Sequence, residues 1–327
     1  MLEKAGHERF GLVRNPFQDL ASETLAGAEY LHVDQEADTA LKTIKEDVLE
    51  KRRKALVALV GPLGVGKTQR LVVATDEGRR LGAMTVHRQI SADADVLVQG
   101  LAKDLREAAT LGTLAKHLVQ PKWYRDLQSL ERKARKGFDP DDAGAVLAEA
   151  LNANAPAFVL LNDLQNLNAA EGTERFFQAL YAMANRLQPG VLVMFSSYPE
   201  YFAALRRNQA ALAARIDRVF PIGMLSDDEA ALLLAKRMPE HRIVEGLDPL
   251  YPFDRAAVAS MNRAAQGNPR RLLKLADLVL ERAVQDRAYH VGEKTVQEVI
   301  GSSDVVKGWG RKTAPRRLRV MRDGPKA

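Results

Sequence analysis

The segment from Gly61 to Thr68 has the residue types and the spacing that bind phosphate groups. It reads Gly-Pro-Leu-Gly-Val-Gly-Lys-Thr and matches the pattern G-x-x-x-x-G-K-[ST] at every position. Glycines let successive backbone N–H groups turn toward an anion, and the helix that follows points the positive end of its dipole to the same place. The lysine reaches the β- and γ-phosphates, and the threonine hydroxyl ligates Mg²⁺. The sequence therefore predicts a site for ATP and Mg²⁺, formed by Gly61, Pro62, Leu63, Gly64, Val65, Gly66, Lys67, Thr68 and Gln69.

A second group of polar residues follows the apolar run 157–161. Asn162 and Asp163 come directly after it. A nucleotide site of this kind needs carboxylate chemistry at a neighbouring strand end, both for Mg²⁺ and for the attacking water. The carboxyl ends of parallel strands are also where ligands bind in open α/β sheets. We therefore predict Asp163 as a metal ligand and Asn162 and Asp163 as catalytic residues.

Alternating apolar runs and helical patterns position these two groups. Short apolar runs predict buried parallel strands, and apolar residues at helical spacing predict helices between them. From Ser226 onward the pattern is helical only. The predicted fold class is α/β, a P-loop NTPase whose parallel sheet is flanked by helices, followed by a small all-helical lid domain and a basic C-terminal tail. The predicted strands are 55–60, 84–90, 157–161, 191–195 and 219–222; the predicted helices are 36–53, 67–80, 94–109, 113–135, 141–153, 171–187, 226–238, 253–265, 269–287 and 293–300.

The predicted organisation has four parts. They are an N-terminal extension (1–35), the nucleotide-binding α/β domain (36–223), the helical lid (224–300) and the basic tail (301–327). No run approaches the roughly 20 apolar residues that span a bilayer, and the N-terminus has no apolar signal region. With no cysteine, disulfides and thiol nucleophiles are excluded. We expect a cytoplasmic protein without a membrane partner.

The order of these features resembles that of AAA+ ATPases. The resemblance is to the branch that contains the general-secretion-pathway A (ExeA-type) ATPases, the transposon-encoded target-selection ATPases and the origin-recognition initiators. It covers about residues 8–300 and includes a lid motif similar to the one that carries the sensor 2 arginine. The segments that carry it, besides the P-loop, are Phe10-Gly11-Leu12, Asn15-Pro16-Phe17, Tyr198-Pro-Glu200, Leu225-Ser-Asp-Asp-Glu229 and Gly267-Asn-Pro-Arg270.

The resemblance implies further roles. Ser196 or Ser197, at the end of the fourth strand, takes the sensor 1 place, and Arg270 takes the sensor 2 place. Arg215 is the candidate arginine finger, which stabilises transferred charge at a neighbouring subunit's ATP. A finger in trans requires a homo-oligomer. Two other arginines compete with Arg215 for this role, Arg207 and Arg218.

The residues depart from the family at the third strand, which usually ends in Asp-Glu. Alignment on the downstream Gln-Asn-Leu places Asn162 at the Asp position and Asp163 at the Glu position. Sliding by one makes Asp163 the Mg²⁺ ligand and puts Leu164 at the position of the base. One carboxylate is missing either way, and a water misplaced by about 1 Å costs roughly a hundredfold in rate. We expect tight ATP binding with slow hydrolysis.

Charge points to the partner. The chain has a net charge of +6, and residues 307–327 carry eight Lys or Arg against one Asp, so the rest is nearly neutral. Such a tail gives sequence-independent, salt-sensitive affinity for DNA, and Trp123 and Trp309 are candidates for stacking on bases. A solvated tail is the alternative, and the basic run 122–136 is interpreted as a solvated helix face.

Two functions therefore remain open. In the first, the protein assembles on DNA with ATP and recruits or positions a partner protein, as in transposon target selection or replication. In the second, it is a hydrolysis-poor, nucleotide-dependent assembly factor, of the secretion type included, that binds a protein partner without DNA. The two hypotheses differ in whether DNA affinity depends on ATP.

Overall fold

The computed structural model describes residues 6–18, 32–109, 120–167 and 172–309. The chain divides into two compact units. The sheet unit is Ala21–Met224, and the helical unit combines Met1–Leu20 with Leu225–Ala327. This division groups residues 6–18 with the helices that end the chain, whereas the sequence analysis set residues 1–35 apart as an extension.

The sheet unit is built on five strands, all parallel to their neighbours, in the order β2-β3-β4-β1-β5. The P-loop strand β1 therefore lies between β4 and β5, and β3 lies next to β4. The three central strands, β3, β4 and β1, are short and almost wholly buried because parallel strands inside a sheet are covered on both faces. The predicted α/β class is confirmed. The strands are β1 (Ala55–Val60), β2 (Met84–Gln89), β3 (Ala157–Asn162), β4 (Val191–Ser197) and β5 (Arg218–Pro221).

Helices cover both faces of the sheet. On β3, Phe158 and Leu160 point into a core shared with α1 and α2, and Val159 and Leu161 point into a core shared with α3 to α6. The alternation follows from the two-residue period of a strand. The helices of this unit are α1 (Glu36–Leu49), α2 (Lys67–Arg80), α3 (Ala94–Ala108), α4 (Lys122–Ala134), α5 (Pro140–Ala153), α6 (Thr173–Arg186), α7 (Pro199–Asn208) and α8 (Ala210–Ala213), with a 3₁₀ turn at Leu164–Leu167.

Two predicted helices are clearly longer than the observed ones. The pattern 36–53 predicts a helix that ends at Leu49 in the structure. The pattern 113–135 predicts a single helix, but residues 113–119 lie outside the described residues and helix α4 begins only at Lys122. Pro121 precedes it with an extended backbone (φ −53°, ψ 151°). Proline has no N–H to give to a preceding helical turn, so the helix begins after it.

The helical unit is formed by helices and short turns. Asn15 fixes the N-terminal segment to it, because its Nδ2 donates to Asp277 Oδ1 (3.0 Å) and Glu281 Oε1 (2.8 Å), while Phe17 is fully buried against Phe253. No described helix combines the length and the apolar character needed to cross a membrane. The helices are α9 (Asp227–Arg237), α10 (Arg255–Ala265), α11 (Pro269–Gln285), α12 (Glu293–Ser302) and α13 (Asp304–Trp309), with 3₁₀ turns at Gly6–Phe10 and Pro239–His241.

Candidate nucleotide-binding site

The P-loop connects the end of β1 to the start of α2. Gly66, the N-cap of α2, has φ 92°, in the left-handed region that glycine adopts without strain. Gly61 lies so close to β5 that a Cβ on it would be 2.7 Å from the carbonyl oxygen of Ile222. The loop therefore brings bare backbone to the N-terminus of a 14-residue helix, as an anion site requires.

Lys67 is buried inside this loop, with 5% of its surface exposed. Its Nζ donates to the carbonyl oxygens of Gly61 (2.7 Å) and Pro62 (2.8 Å) and lies 4.8 Å from the centroid of the Tyr198 ring. Burial lowers the pKa of Lys67 to about 8, and the carboxylate of Asp163 opposes this fall. The lysine is thus a buried cation whose charge is easily lost.

Asn162 connects the P-loop to two neighbouring strands. It ends β3 and is 1% exposed. Its Oδ1 accepts hydrogen bonds from Thr68 Oγ1 (3.1 Å) and Ser196 Oγ (2.8 Å), and its Nδ2 donates to Gln89 Oε1 (2.7 Å) and to Asp163 Oδ2 (3.3 Å). The side chain that meets the threonine of the P-loop is therefore the amide of Asn162.

Asp163 takes a different orientation. Its backbone is left-handed (φ 63°), and its N–H donates to Ser196 Oγ (2.8 Å). Its carboxylate accepts from Gln89 Nε2 (3.1 Å) and Gln165 Nε2 (2.7 Å). Leu164, which follows, is fully buried in the core of the sheet unit. Two glutamines therefore hold the one carboxylate of this segment.

The two serines that end β4 differ in their contacts. Both are fully buried. Ser196 contacts Asn162 and the N–H of Asp163, while Ser197 donates to the carbonyl oxygen of Tyr198 (3.3 Å). Of the two sensor 1 candidates, Ser196 is the one that the structure brings into the polar network around Asn162.

The arginine candidates are exposed surface residues, three on the sheet unit and one on the helical unit. Arg215, Arg218 and Arg207 are exposed on the sheet unit, and the first two lie over the rings of Tyr181 (5.8 Å) and Phe220 (5.6 Å). Arg270 is exposed on the helical unit, at the second residue of α11.

The two tryptophans have protein contacts. Trp123 is partly buried against the core of the sheet unit, with its ring edge-on to Tyr124 (5.7 Å). The guanidinium of Arg271 lies over the ring of Trp309 (5.6 Å). Of the tail, residues 301–309 lie within the described part of the chain.

The structure adds four residues that sequence reasoning missed. Gln89 hydrogen-bonds both Asn162 and Asp163, and Tyr198 covers the lysine of the P-loop. Gln89 is the last polar residue of the predicted strand 84–90 and ends the observed β2, so a search of every strand end for polar residues would have found it. The other two form a buried ion pair between α1 and α2, Asp38 and Arg70.

Comparisons with known proteins agree with this geometry. Neither the family models nor the curated proteins compared with the chain give a match. Solved structures do match, and all those described next are AAA+ ATPases. The chain therefore has the AAA+ fold of these P-loop proteins, and the predicted likeness to the origin-recognition branch is confirmed at the level of the fold.

Three solved structures illustrate this likeness. ORC1 of Aeropyrum pernix, in complex with DNA, has a TM-score of 0.52 at 14% identity, covering 84% of this chain and 67% of that one. ORC2 of Aeropyrum pernix, in ADPNP–ADP complexes, has a TM-score of 0.54 at 11% identity, covering 81% and 66%. A variant of RuvB from Thermotoga maritima has a TM-score of 0.50 at 16% identity, covering 82% and 69%. The chain spans about two thirds of the length of the two ORC chains.

Proposed function

We propose that the chain is an ATP-binding AAA+ protein that oligomerises with ATP on DNA and there recruits or positions a partner protein, in transposition or replication. The observation that carries the nucleotide site is the convergence of Lys67, Thr68, Asn162 and Ser196 at the carboxyl ends of β1, β3 and β4. DNA as a partner is supported by the basic tail and by the likeness to a fold that, in ORC1 of Aeropyrum pernix, is solved with DNA.

The P-loop residues fit a triphosphate with Mg²⁺. Bare backbone at the helix start supplies N–H donors, Lys67 supplies a cation and the Thr68 hydroxyl supplies an oxygen ligand. A bound Mg²⁺ neutralises charge that develops on the phosphates. Mg²⁺ takes oxygen ligands, of which carboxylates and water are the usual ones. Asp163 supplies the one carboxylate of the Asn162–Asp163 pair.

Slow hydrolysis follows from Asn162 and Asp163. Asn162 meets Thr68 with a neutral oxygen, so it supplies no charge to the metal. The carboxylate of Asp163 accepts three side-chain hydrogen bonds, and it must leave them before it orients a water. ATP binding depends on the P-loop, so the missing carboxylate does not weaken it. The protein therefore keeps ATP bound long enough to act as a nucleotide-dependent assembly.

The remaining site residues act on the assembled protein. In this proposal Arg215 reaches the ATP of a neighbouring copy, with Arg207 and Arg218 as the competing candidates. Arg270 contacts the nucleotide from the helical unit. Ser196 takes the sensor 1 role because its hydroxyl donates to Asn162 Oδ1, which also accepts from the threonine of the P-loop.

Calorimetry with MgATP tests the nucleotide site. The wild-type protein should bind, and Lys67→Ala should lose most of the affinity because the only side-chain cation of the P-loop is removed. Lys103→Ala is the matched control, since Lys103 is an exposed lysine of the same unit. No uptake by the wild-type protein, or equal affinity in Lys67→Ala, would overturn the proposal.

DNA binding with and without ATP tests the partner. The proposal expects duplex affinity to rise with ATP and with duplex length, because an assembly adds its phosphate contacts. Nucleotide binding without any DNA binding would favour the assembly factor that acts on a protein partner.

A further inference from the structure

Tyr198 brings an aromatic ring to the lysine of the P-loop. The distance of 4.8 Å from Lys67 Nζ to the ring centroid lies within the range of cation–π contacts. Strand register explains the contact, because Val60 pairs with Ser197 and the N–H of Gly61 donates to the carbonyl oxygen of Ser197 (3.2 Å). The residue after Ser197 is thus placed beside the start of the P-loop.

The backbone of Tyr198 is fixed on both sides. It precedes Pro199 and has the extended conformation that this position favours (φ −79°, ψ 151°). Its carbonyl oxygen accepts from the N–H of Phe202 (2.9 Å), and its side chain packs against the core of the sheet unit. The ring is therefore a preformed surface for the ammonium.

The ammonium of Lys67 has little capacity left for a ligand. It has three N–H donors, two of which are taken by the carbonyl oxygens of Gly61 and Pro62. The ring of Tyr198 covers it on another side, and the charged group that acts on it is the carboxylate of Asp163. A triphosphate must therefore draw the ammonium away from contacts that already satisfy it.

We propose that Tyr198 is a positioning residue that holds Lys67 on the P-loop carbonyls before nucleotide binds and so opposes the binding of polyphosphate. This inference rests on the proposed function of the site. When MgATP binds, phosphate oxygens replace the two carbonyls as partners of the ammonium. Losing the cation–π contact with Tyr198 weakens this binding, and it is the contribution that a substitution can remove. Removal of the ring should strengthen MgATP binding.

Substitution of the ring gives the test. Tyr198→Leu should bind MgATP about threefold to tenfold more tightly in calorimetry, the affinity equivalent of one partly desolvated cation–π contact. Tyr198→Phe keeps the ring and should stay within about twofold of the wild-type affinity. Tyr289→Leu is the control, because it removes a ring from an arginine, Arg9 (6.0 Å), on the helical unit.

Rescue by the conservative variant separates positioning from packing. Tyr198→Phe keeps the ring beside the ammonium and Tyr198→Leu keeps only apolar bulk, so the affinities of the two variants should differ, whereas a purely structural role leaves them equal. If Tyr198→Leu does not fold, Tyr198→Met gives the same comparison with a flexible side chain that has no ring.

The results separate this inference from the function on which it rests. Equal or weaker affinity in the Leu or Met variant, or a Phe variant that behaves like them, overturns the role of the ring alone. A wild-type protein that takes up no MgATP overturns the proposed function and this inference together.

Discussion

Asn162 occupies the place where an added charge should change the rate of hydrolysis. Its Oδ1 accepts two hydroxyl hydrogen bonds, from Thr68 and Ser196. A carboxylate accepts the same two bonds, so an aspartate fits without a new donor. Gln89, which now accepts from Nδ2, can turn its amide and donate to the new carboxylate, but it then gives up its hydrogen bond to Asp163. The change from Asn to Asp therefore adds charge opposite Thr68, keeps the two hydroxyl hydrogen bonds and removes the two amide donors that now hold Asp163.

The first prediction concerns this charge. Asn162→Asp should raise ATP turnover by roughly tenfold or more, because a Mg²⁺ held in place positions the phosphates for reaction. Single-turnover hydrolysis measures the effect. Asn166→Asp is the matched control, since Asn166 is an exposed neighbour that donates to the carbonyl oxygen of Ile90. Unchanged turnover in Asn162→Asp would contradict the explanation given for slow hydrolysis.

The backbone explains why the next residue is an aspartate. Asp163 has φ 63°, a conformation that Asp and Asn tolerate and that larger residues avoid. A glutamate here, as in the usual Asp-Glu pair, would be strained. The carboxylate of Asp163 also accepts a hydrogen bond from Gln165 Nε2 in the turn that follows β3. Aspartate therefore suits this backbone conformation, but its carboxylate extends less far toward the nucleotide site than that of a glutamate.

The second prediction concerns pH and Lys67. MgATP affinity should fall about tenfold between pH 7 and pH 9, because burial lowers the lysine pKa to about 8 and the neutral amine binds phosphate poorly. The titration of Lys67 does not lower the affinity by destabilising the folded protein. A lysine whose folded pKa lies below its unfolded value makes the folded state more stable as pH rises between the two values.

Calorimetry in buffers of different ionisation enthalpy measures the affinity and the proton uptake that accompanies it. Lys67→Met is neutral at every pH, so it should bind more weakly with a flat profile. A flat profile in the wild-type protein would show that the lysine keeps its charge throughout the range.

At the scale of elements, a buried ion pair joins α1 to the P-loop helix. Arg70 donates to both oxygens of Asp38 (2.9 and 2.7 Å) and to Gln35 Oε1 (3.0 Å), and Asp38 Oδ2 accepts the N–H of Gln35. Burial by itself raises the pKa of Asp38, but hydrogen bonds from His32 and Arg70 bring it well below its usual range. This pair fixes the direction of α2, the helix that begins at the phosphate site.

The third prediction removes this charge. Asp38→Asn should lower the free energy of unfolding by about 3 kcal/mol at pH 7, because it leaves Arg70 buried without a counter-charge. The lowered pKa means that the contribution is present above about pH 4 and is lost as the pH falls below that value. Urea unfolding should therefore show the difference between the two proteins shrinking in acid.

The control for this pair is Glu50→Gln. Glu50 pairs with Arg52 on the surface, where both side chains are more than half exposed, and such pairs contribute little. Equal losses of stability in the two variants would show that the pair between α1 and α2 has no special role.

At the scale of the whole molecule, the positive charge is concentrated beyond the last described helix. Residues 310–327 carry seven of the eight basic residues of the tail and one of its two aspartates, Asp323. The helix that precedes these residues in the sequence, α13, ends at Trp309, whose ring lies under the guanidinium of Arg271. Arg271 follows Arg270, the sensor 2 candidate, on α11. Trp309 therefore contacts the neighbour of that candidate.

The fourth prediction concerns this tail. A truncation that ends at Trp309 keeps the contact with Arg271 and should weaken DNA binding and flatten its salt dependence. The slope of log K against log salt should fall by about 0.9 for each phosphate contact removed. Fluorescence anisotropy at several salt concentrations measures both. A full-length variant with the same seven basic residues changed to Gln is the control and should behave like the truncation.

Equal DNA affinity and equal salt slope in the truncated and full-length proteins would show that the DNA contacts lie outside residues 310–327. Nucleotide binding by calorimetry should be the same in both proteins, because the P-loop belongs to the sheet unit.

The sequence by itself determined the features that depend on local chemistry. Gly61, Gly66 and Lys67 predict an anion site because backbone freedom, a helix start and one cation are properties of a single short segment. The strands could be predicted because apolar runs such as 55–60 and 191–197 record burial on both faces. The α/β class and the helical unit followed, and both are confirmed.

Only the tertiary structure decided which distant side chains meet. The order β2-β3-β4-β1-β5 brings Gln89, Asn162, Ser196 and Tyr198 to one edge, although up to 109 residues separate them in the sequence. The choice between Asn162 and Asp163 opposite Thr68 also depended on it, because successive side chains at a strand end point to opposite sides. Strand order, register and the direction of a side chain come from packing across the whole sheet, which no local pattern of residues records.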